Sequence, residues 1–257
     1  MNKQDIGDST RRQIMLAIQT NDLTKKFQDK TAVDSLNLSI DQGELFALLG
    51  VNGAGKTTTI KMLTCLNKPT RGDATLLGDS IVSKPHAVKE KINVSPQETA
   101  IARNLSVKEN LELIAQIYGF DKKAADNKVE EMLMTFGLTE VSNSKAKTLS
   151  GGTQRRLSIA MALISNPQIL FLDEPTLGLD VIARRGLWTA IEKLKGKITI
   201  ILTTHYMEEA EVLSDRIGIM SKGKLKAVGT VSELMAKTNM KSLEDAFVSL
   251  ATREESE

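Results

Sequence analysis

Apolar and polar positions change their period along the chain, and each change predicts a different kind of structure. From Leu16 to Leu49 the pattern is strand-like. Ala17-Ile-Gln-Thr20, Val33 to Ile40 and Leu45-Phe-Ala-Leu-Leu49 are short β-type runs, and Asp41-Gln-Gly43 is the turn between the last two. The middle, about 98–165, reads helical. Ser106-Val-Lys-Glu109 has the form of a capping box, and Val107, Leu111, Ile114 and Tyr118 follow at helical spacing. A second helix covers Glu130 to Phe136 and stops at Gly137. Strand and helix then alternate. Ile169-Leu-Phe-Leu172 is an apolar run suited to a strand buried on both faces, Leu187, Ile191 and Leu194 mark a helix face, and Lys197 to Leu202 predicts another buried strand. Such alternation implies a parallel α/β sheet. Residues 1–14 are polar, carry no period and are expected to form a mobile extension ahead of Met15.

Composition narrows the classes. The 257 residues are 41% hydrophobic and 26% charged, which suits one large globular domain or two small lobes and excludes wholesale disorder. Apolar stretches such as Ile198 to Leu202 fall far short of the roughly 18 residues of a membrane helix. The polar start, with Lys3, Asp5, Asp8, Arg11 and Arg12, does not read as a secretory signal. A net charge of +2 and 4% aromatic residues argue against a nucleic-acid partner. Cys65 has no internal partner for a disulfide, which fits a reducing compartment.

Chemistry enters at Gly50-Val51-Asn52-Gly53-Ala54-Gly55-Lys56-Thr57, which fits G-x-x-x-x-G-K-[ST] between an apolar strand and a helical run from Thr58 to Leu66. Glycines there let the backbone turn its N–H groups onto phosphate oxygens, and the helix start adds the positive end of its dipole. Lys56 supplies a full charge for β- and γ-phosphates, and Thr57 a hard oxygen for Mg²⁺. A chance match in a chain of this composition has odds of about 1%. A second signal is the pair of acids, Asp173 and Glu174, closing the apolar run from Ile169. Ligands of open α/β sheets sit at such strand ends, so Asp173 is a metal-holding candidate and Glu174 a candidate to polarise a water. The third is Leu149-Ser150-Gly151-Gly152 ahead of a helix containing Arg155 and Arg156. Ser150 caps that helix, and the glycines leave its first N–H groups open to an anion.

Taken together, these motifs resemble the nucleotide-binding subunits of ATP-binding cassette (ABC) transporters over about residues 16–230. Gly50 to Thr57 looks like the Walker A loop, Ile169 to Glu174 like Walker B, and Leu149 to Gly152 like the family signature. In the same resemblance Gln97 matches a glutamine that reaches Mg²⁺, Asp180 in Gly178-Leu-Asp180 matches the D-loop, and His205 matches the switch histidine. Phe27 stands where the family stacks an aromatic ring on adenine, in place of the more frequent tyrosine. Thr153 fills the fifth signature position, where glutamine is more common and here follows as Gln154.

The resemblance implies a P-loop NTPase core of the RecA-like kind with an N-terminal antiparallel β-subdomain and an α-helical insert. It places the ATPase domain at 15–230, the helical subdomain at about 98–165 and a short helical tail at 231–257. It implies ATP and Mg²⁺ as cofactors. The nucleotide-binding residues would be Phe27, Gly50 to Thr58, Gln97, Ser150, Gly151, Gly152 and Asp180, with Thr57, Gln97 and Asp173 on the metal and Lys56, Glu174 and His205 in catalysis. Each ATP would be sandwiched between the phosphate loop of one copy and the signature of another, so a homodimer is expected. Separate transmembrane permease subunits would hold it at the cytoplasmic face of a membrane, docking near Gln97 and the helical insert 99–120. The tail from Ser242 to Leu250 resembles that of ABC-2-type exporter ATPases, which favours export. A soluble ABC ATPase, such as one for iron–sulfur cluster assembly, is the rival. A chromosome-maintenance ATPase is disfavoured because no sustained heptads separate Lys56 from Asp173, and a two-cassette translation factor because one cassette is present. The cargo leaves no mark on these residues. For the remaining singletons, His86 reads as a solvated loop residue, Cys65 as packing and Trp188 as packing on its helix.

Overall fold

The computed structural model describes residues 15–252; the expected extension at 1–14 and positions 253–257 of the tail lie outside the described residues. Strands β1 (Leu16–Phe27) and β2 (Lys30–Asp41) form an antiparallel hairpin that pairs Phe27 with Lys30 across its tip. On β2, Leu36, Leu38 and Ile40 alternate inward, as a strand with one buried face requires. Strand β3 (Leu45–Leu49) is buried on both faces and leads into helix α1 (Lys56–Leu63). Strands β4 (Arg71–Leu76) and β5 (Asp79–Ser80) complete the first sheet in the order β2-β1-β4-β5.

The second sheet is built around β3. Its partners are β6 (Ile92–Ser95), β7 (Ile169–Asp173), β8 (Thr199–Thr204) and β9 (Arg216–Ser221), with β10 (Lys224–Gly229) antiparallel at the edge. The order is β10-β9-β3-β8-β7-β6, and the inner pairs are parallel. Because side chains alternate along a strand, β3 feeds two cores. Phe46 and Leu48 pack between the sheets with α1, while Leu45, Ala47 and Leu49 pack against the helices on the other face. This is the mixed α/β fold, with an antiparallel β-subdomain, that the sequence implies.

The helices follow the sequence pattern with some shifts. Helix α2 (Pro85–Lys91) precedes β6, so His86 is exposed on a helix rather than in a loop, with Pro85 at its first position. In α3 (Val107–Ile117) both halves of the Ser106–Glu109 capping box are made. Val107, Leu111 and Ala115 are buried, whereas Tyr118, expected on the same face, is exposed past the helix end. Helix α4 (Lys122–Thr135) starts earlier than expected, because the Asp121 carboxylate caps it. Helix α5 (Gly151–Leu163) is capped by Ser150 as expected. Beyond β7 come α6 (Val181–Glu192), α7 (Met207–Leu213), α8 (Val231–Thr238) and α9 (Leu243–Thr252). Strand β8 runs two residues further than the apolar run, through Thr203 and Thr204. Both threonines are buried, and the Thr203 hydroxyl is satisfied by Asp173 at 2.6 Å.

Candidate active site

Register places the site. Leu49 of β3 lies beside Thr204 of β8, and Asp173 of β7 beside Thr203. The three strands therefore end together, and Gly50, Glu174 and His205 leave the sheet side by side. A cleft of about 470 Å³ opens there, within the usual size range of small-molecule sites. Asn52, Gly53, Gly55, Lys56, Thr57 and Thr58 line one wall, and Phe27, Gln97 and Glu174 line others. Of the sequence-derived loop residues, Gly50, Val51 and Ala54 do not line it. Gly50 ends the strand, where a Cβ would stand 2.4 Å from the Met220 carbonyl oxygen. Gly55 caps α1 at φ +108, a conformation closed to side-chain-bearing residues, and a Cβ there would also meet the Ala32 carbonyl oxygen at 2.5 Å.

Lys56 is buried at 4% exposure. Its Nζ donates to the carbonyls of Gly50 at 2.7 Å and Val51 at 3.2 Å, and lies 3.4 Å from Glu174 Oε1. Glu174 is 8% exposed and sits at φ +46, a backbone state that costs a non-glycine residue roughly 1–3 kcal/mol and recurs at functional sites. Its N–H is held by both the carbonyl and the hydroxyl of Thr203, at 3.1 Å each. His205 Nδ1 lies 3.4 Å from Glu174 Oε2 without hydrogen-bond geometry. Asp173 is buried and does not line the cleft, but its Oδ1 accepts from the hydroxyl of Thr57, which does, at 3.1 Å; Gln97 lines the same cleft. No cluster of three or more His, Cys, Asp or Glu able to hold a metal is found among the described residues. Two hard oxygens beside a phosphate loop suit Mg²⁺, which takes one or two protein oxygens and completes its shell with phosphate and water.

Phe27 ends β1, 47% exposed at the cleft mouth, with Lys25 Nζ 5.0 Å from its ring centre. Sequence reading missed Lys30, Ala32 and Leu177, which also line the cleft. The signal for Lys30 was its place on the hairpin opposite Phe27.

The remaining residues stand apart. Ser150, Gly151, Gly152 and Asp180 do not line this cleft. Ser150 and Gly151 are exposed at the start of α5, whereas Gly152 is buried because a Cβ there would come within 2.7 Å of the Ala183 Cβ on α6. Asp180 is exposed and caps α6, accepting from the Ala183 N–H at 2.9 Å. The Thr153 hydroxyl, in the position where glutamine is more common, pairs with Ser150 Oγ at 2.9 Å. A second hollow, shared with the first through Gln97, Glu174 and Leu177, reaches Gly151 and Arg155.

Four residues past His205, on α7, lies a carboxylate the sequence did not single out. Glu209 is fully buried on α7 and accepts from Trp188 Nε1 at 3.2 Å, so Trp188 does more than pack. Glu209 Oε2 and the Thr176 hydroxyl lack a hydrogen bond of standard geometry, although Thr204 and Thr176 lie near the carboxyl. Burial pushes the Glu209 carboxyl up, against the pull of Thr204, Thr176, Trp188 and Arg184. Folding thus favours the protonated form. The stability this carries is present in full below the ordinary carboxyl range and is lost as pH rises through the folded-state value. Glu209→Gln is expected to flatten that loss. Its urea midpoint should fall less between pH 5 and pH 8 than that of the parent chain, and an equal fall in both would show that the burial cost is not felt.

A phosphate loop on a parallel sheet, with a carboxylate and a histidine at the neighbouring strand ends, defines a P-loop ATPase. The family profile described as "ABC transporter" matches residues 33–177, more than half of the chain, and the chain belongs to that family and carries its ATPase domain. The chain is 42% identical over 221 residues to the human phospholipid-transporting ATPase ABCA3, covering 84% of this chain and 13% of that protein. It is 39% identical over 219 residues to the daunorubicin/doxorubicin resistance ATP-binding protein DrrA of Streptomyces peucetius, covering 85% of this chain and 66% of that one. The chain thus spans only part of these relatives. Among solved structures it is similar to the ATP-binding cassette MJ0796, a dimer in a post-hydrolysis state bound to ADP and Pi. That match has a TM-score of 0.74 and 26% identity, covering 83% of this chain and 98% of that one.

Proposed function

We propose that this chain is the ATP-hydrolysing subunit of an ABC exporter, working as a homodimer beneath separate membrane subunits. The observation that carries the reading is the convergence of Lys56, Thr57, Asp173, Glu174 and His205 at the joint ends of β3, β7 and β8. Gly50 to Thr58, including Val51 and Ala54 as the frame of the loop, hold the phosphates of ATP, with Lys56 on the β/γ end. Phe27 stacks on adenine. Thr57, Asp173 and Gln97 hold Mg²⁺, which when bound neutralises phosphate charge. Glu174 orients and deprotonates the attacking water, and His205, against the other Glu174 oxygen, steadies that carboxylate and the terminal phosphate.

The start of α5 belongs to a different nucleotide in this reading. Ser150, Gly151 and Gly152 present a capped helix N-terminus away from their own cleft, which suits the ATP of a second copy, with Asp180 at the seam. Val51, Val181 and Ile182, the last 86% exposed, are apolar positions that such a partner would cover. The dimer seen for MJ0796 supports this arrangement, and the export reading is supported by the similarity to DrrA, a drug-resistance ATP-binding protein, and to ABCA3, a phospholipid-transporting ATPase. Residues 15–230 form the ATPase domain in this proposal, about 98–165 its helical subdomain and 231 onward its tail. Among the described residues no helix is long and apolar enough to cross a membrane. In this proposal the pathway is formed by separate permease subunits, which hold the chain at the cytoplasmic membrane face.

The contact with those subunits is testable. Asn104 is exposed ahead of α3, whereas Ala102 is half-buried with its N–H held by Asn110, so Asn104 is the better probe. A cysteine in place of Asn104 is expected to crosslink to a cytosolic loop of a membrane protein isolated with the chain. Crosslinks found only near the C-terminal tail would count against the docking site. Purification with soluble iron–sulfur assembly proteins and no membrane protein would favour the rival reading.

A further inference from the structure

Arg155 lies on α5, five positions beyond Ser150, and neither the phosphate loop nor the cap gives it a task. It is 4% exposed. A buried arginine is ordinarily met by a carboxylate. Here its donors go to backbone carbonyls of two separate segments. Nη2 donates to Asp173 at 3.0 Å, and Nε donates to Pro175 at 2.9 Å. Nη1 donates to the carbonyl of Pro96 and, at 3.4 Å, to that of Gln97. Burial pushes the guanidinium down to about 10, with the charges of Asp173 and Glu209 acting in the other direction, so the cation is retained at neutral pH.

The location of those carbonyls is informative. The β6–β7 ladder pairs Ser95 with Leu172 and goes no further. Past that point the Gln97 segment leaves the sheet, while Asp173 stays paired with Thr203 of β8 and the chain turns away through Glu174 and Pro175; the guanidinium bridges the two. Its planar fork fixes both the separation and the angle between the two, which a single ammonium could not. Arg155 also lines the hollow with Gln97, Glu174 and Gly151.

We infer that Arg155 is a positioning residue: it holds the Gln97 segment in register with Asp173 and Glu174 and ties both to the helix that begins at Ser150. This rests on the proposed roles of Gln97 and Glu174. The device is mechanical. A displacement of α5, such as a nucleotide at its N-terminus would impose, moves the carbonyl anchors of both segments together.

The test uses the full chain with Arg155→Gln and Arg155→Lys, the latter keeping charge and bulk should the glutamine variant not fold. Hydrogen exchange of the nucleotide-free protein is the first readout. Amides at 97–99 and 174–177 should exchange about tenfold faster in Arg155→Gln while those of β3 and β8 stay unchanged. ATP affinity measured in EDTA should stay within about twofold, because the phosphate loop is untouched. Turnover with Mg²⁺-ATP should fall about 10- to 100-fold, the range a misplacement of the order of 1 Å can cause, with Arg155→Lys recovering part of it. Combining Arg155→Gln with Gln97→Ala should then cost less than the product of the two single losses. Unchanged local exchange, faster exchange across the whole sheet, or fully multiplicative losses in the double variant would each overturn the inference. If Gln97→Ala by itself left turnover intact while local exchange behaved as expected, Arg155 would stand as the positioner of these segments and the role given to Gln97 would fall.

Discussion

Lys56→Ala is expected to remove ATP turnover and most ATP affinity while the chain stays folded. The ammonium is the full positive charge within the phosphate loop, buried at 4% exposure and aimed by the Gly50 and Val51 carbonyls. Water competes poorly in such a place, so a charge there is worth far more than at the surface. Losing one preorganised electrostatic group at a reacting centre costs about 10²–10³-fold in rate, and a full charge facing two phosphates belongs at the upper end or beyond. The alanine also leaves Glu174, 3.4 Å away and 8% exposed, without its cation. A modest drop in melting temperature is therefore expected, and Lys56→Met, which fills the same channel without charge, separates packing from electrostatics. Titration with a fluorescent ATP analogue and a phosphate-release assay decide the matter. Turnover at the parent rate in Lys56→Ala would mean that the nucleotide sits elsewhere.

Much of this site was legible because its parts are local. The phosphate loop announces itself through glycines at fixed spacing between a strand and a helix. The acids at the end of β7 are read from an apolar run that stops, and the Ser106 and Ser150 caps from hydrogen bonds spanning three residues. What escaped was set by packing between distant segments. Arg155 and Arg156 stand in the sequence only as two cations on a helix, and nothing near them shows that Asp173, Pro175, Pro96 and Gln97 surround the first. Glu209 sits among Glu208 and Glu211 and nothing in the sequence sets it apart from them, yet α7 buries it with Trp188 Nε1 donating to its carboxylate. Gly152 reads as an open anion site, whereas its glycine is demanded by the approach of α6. Strands β4 to β6 are short and only partly buried, so their period never becomes clear. Buried Thr203 and Thr204 hid the end of β8, since a hydroxyl counts as polar until its partner is known.

Glu174→Gln separates binding from chemistry, and here the expected result is a gain of assembly with a loss of rate. The two side chains have the same shape, and the backbone at 174 is fastened by Thr203, so the left-handed turn persists. The amide can keep its oxygen toward Lys56, but it cannot take a proton from water. Loss of a general base costs about 10²–10⁴-fold. Nothing in the phosphate loop, in the Thr57–Asp173 pair or at the start of α5 is altered, so ATP should bind as before. A sandwich that forms on ATP and opens on hydrolysis would then accumulate closed. Size-exclusion chromatography with Mg²⁺-ATP should show a dimer for Glu174→Gln, a monomer for Lys56→Ala, and a return of the Glu174→Gln peak to monomer in EDTA. Turnover at the parent rate would place the base elsewhere, with His205, 3.4 Å from the same carboxylate, the next candidate. Failure to bind ATP at all would make Glu174 a structural partner of Lys56 in place of a base. A slow variant that stayed monomeric with ATP bound would leave the chemistry intact and remove the sandwich, because the open start of α5 would then have no nucleotide from a second copy to receive.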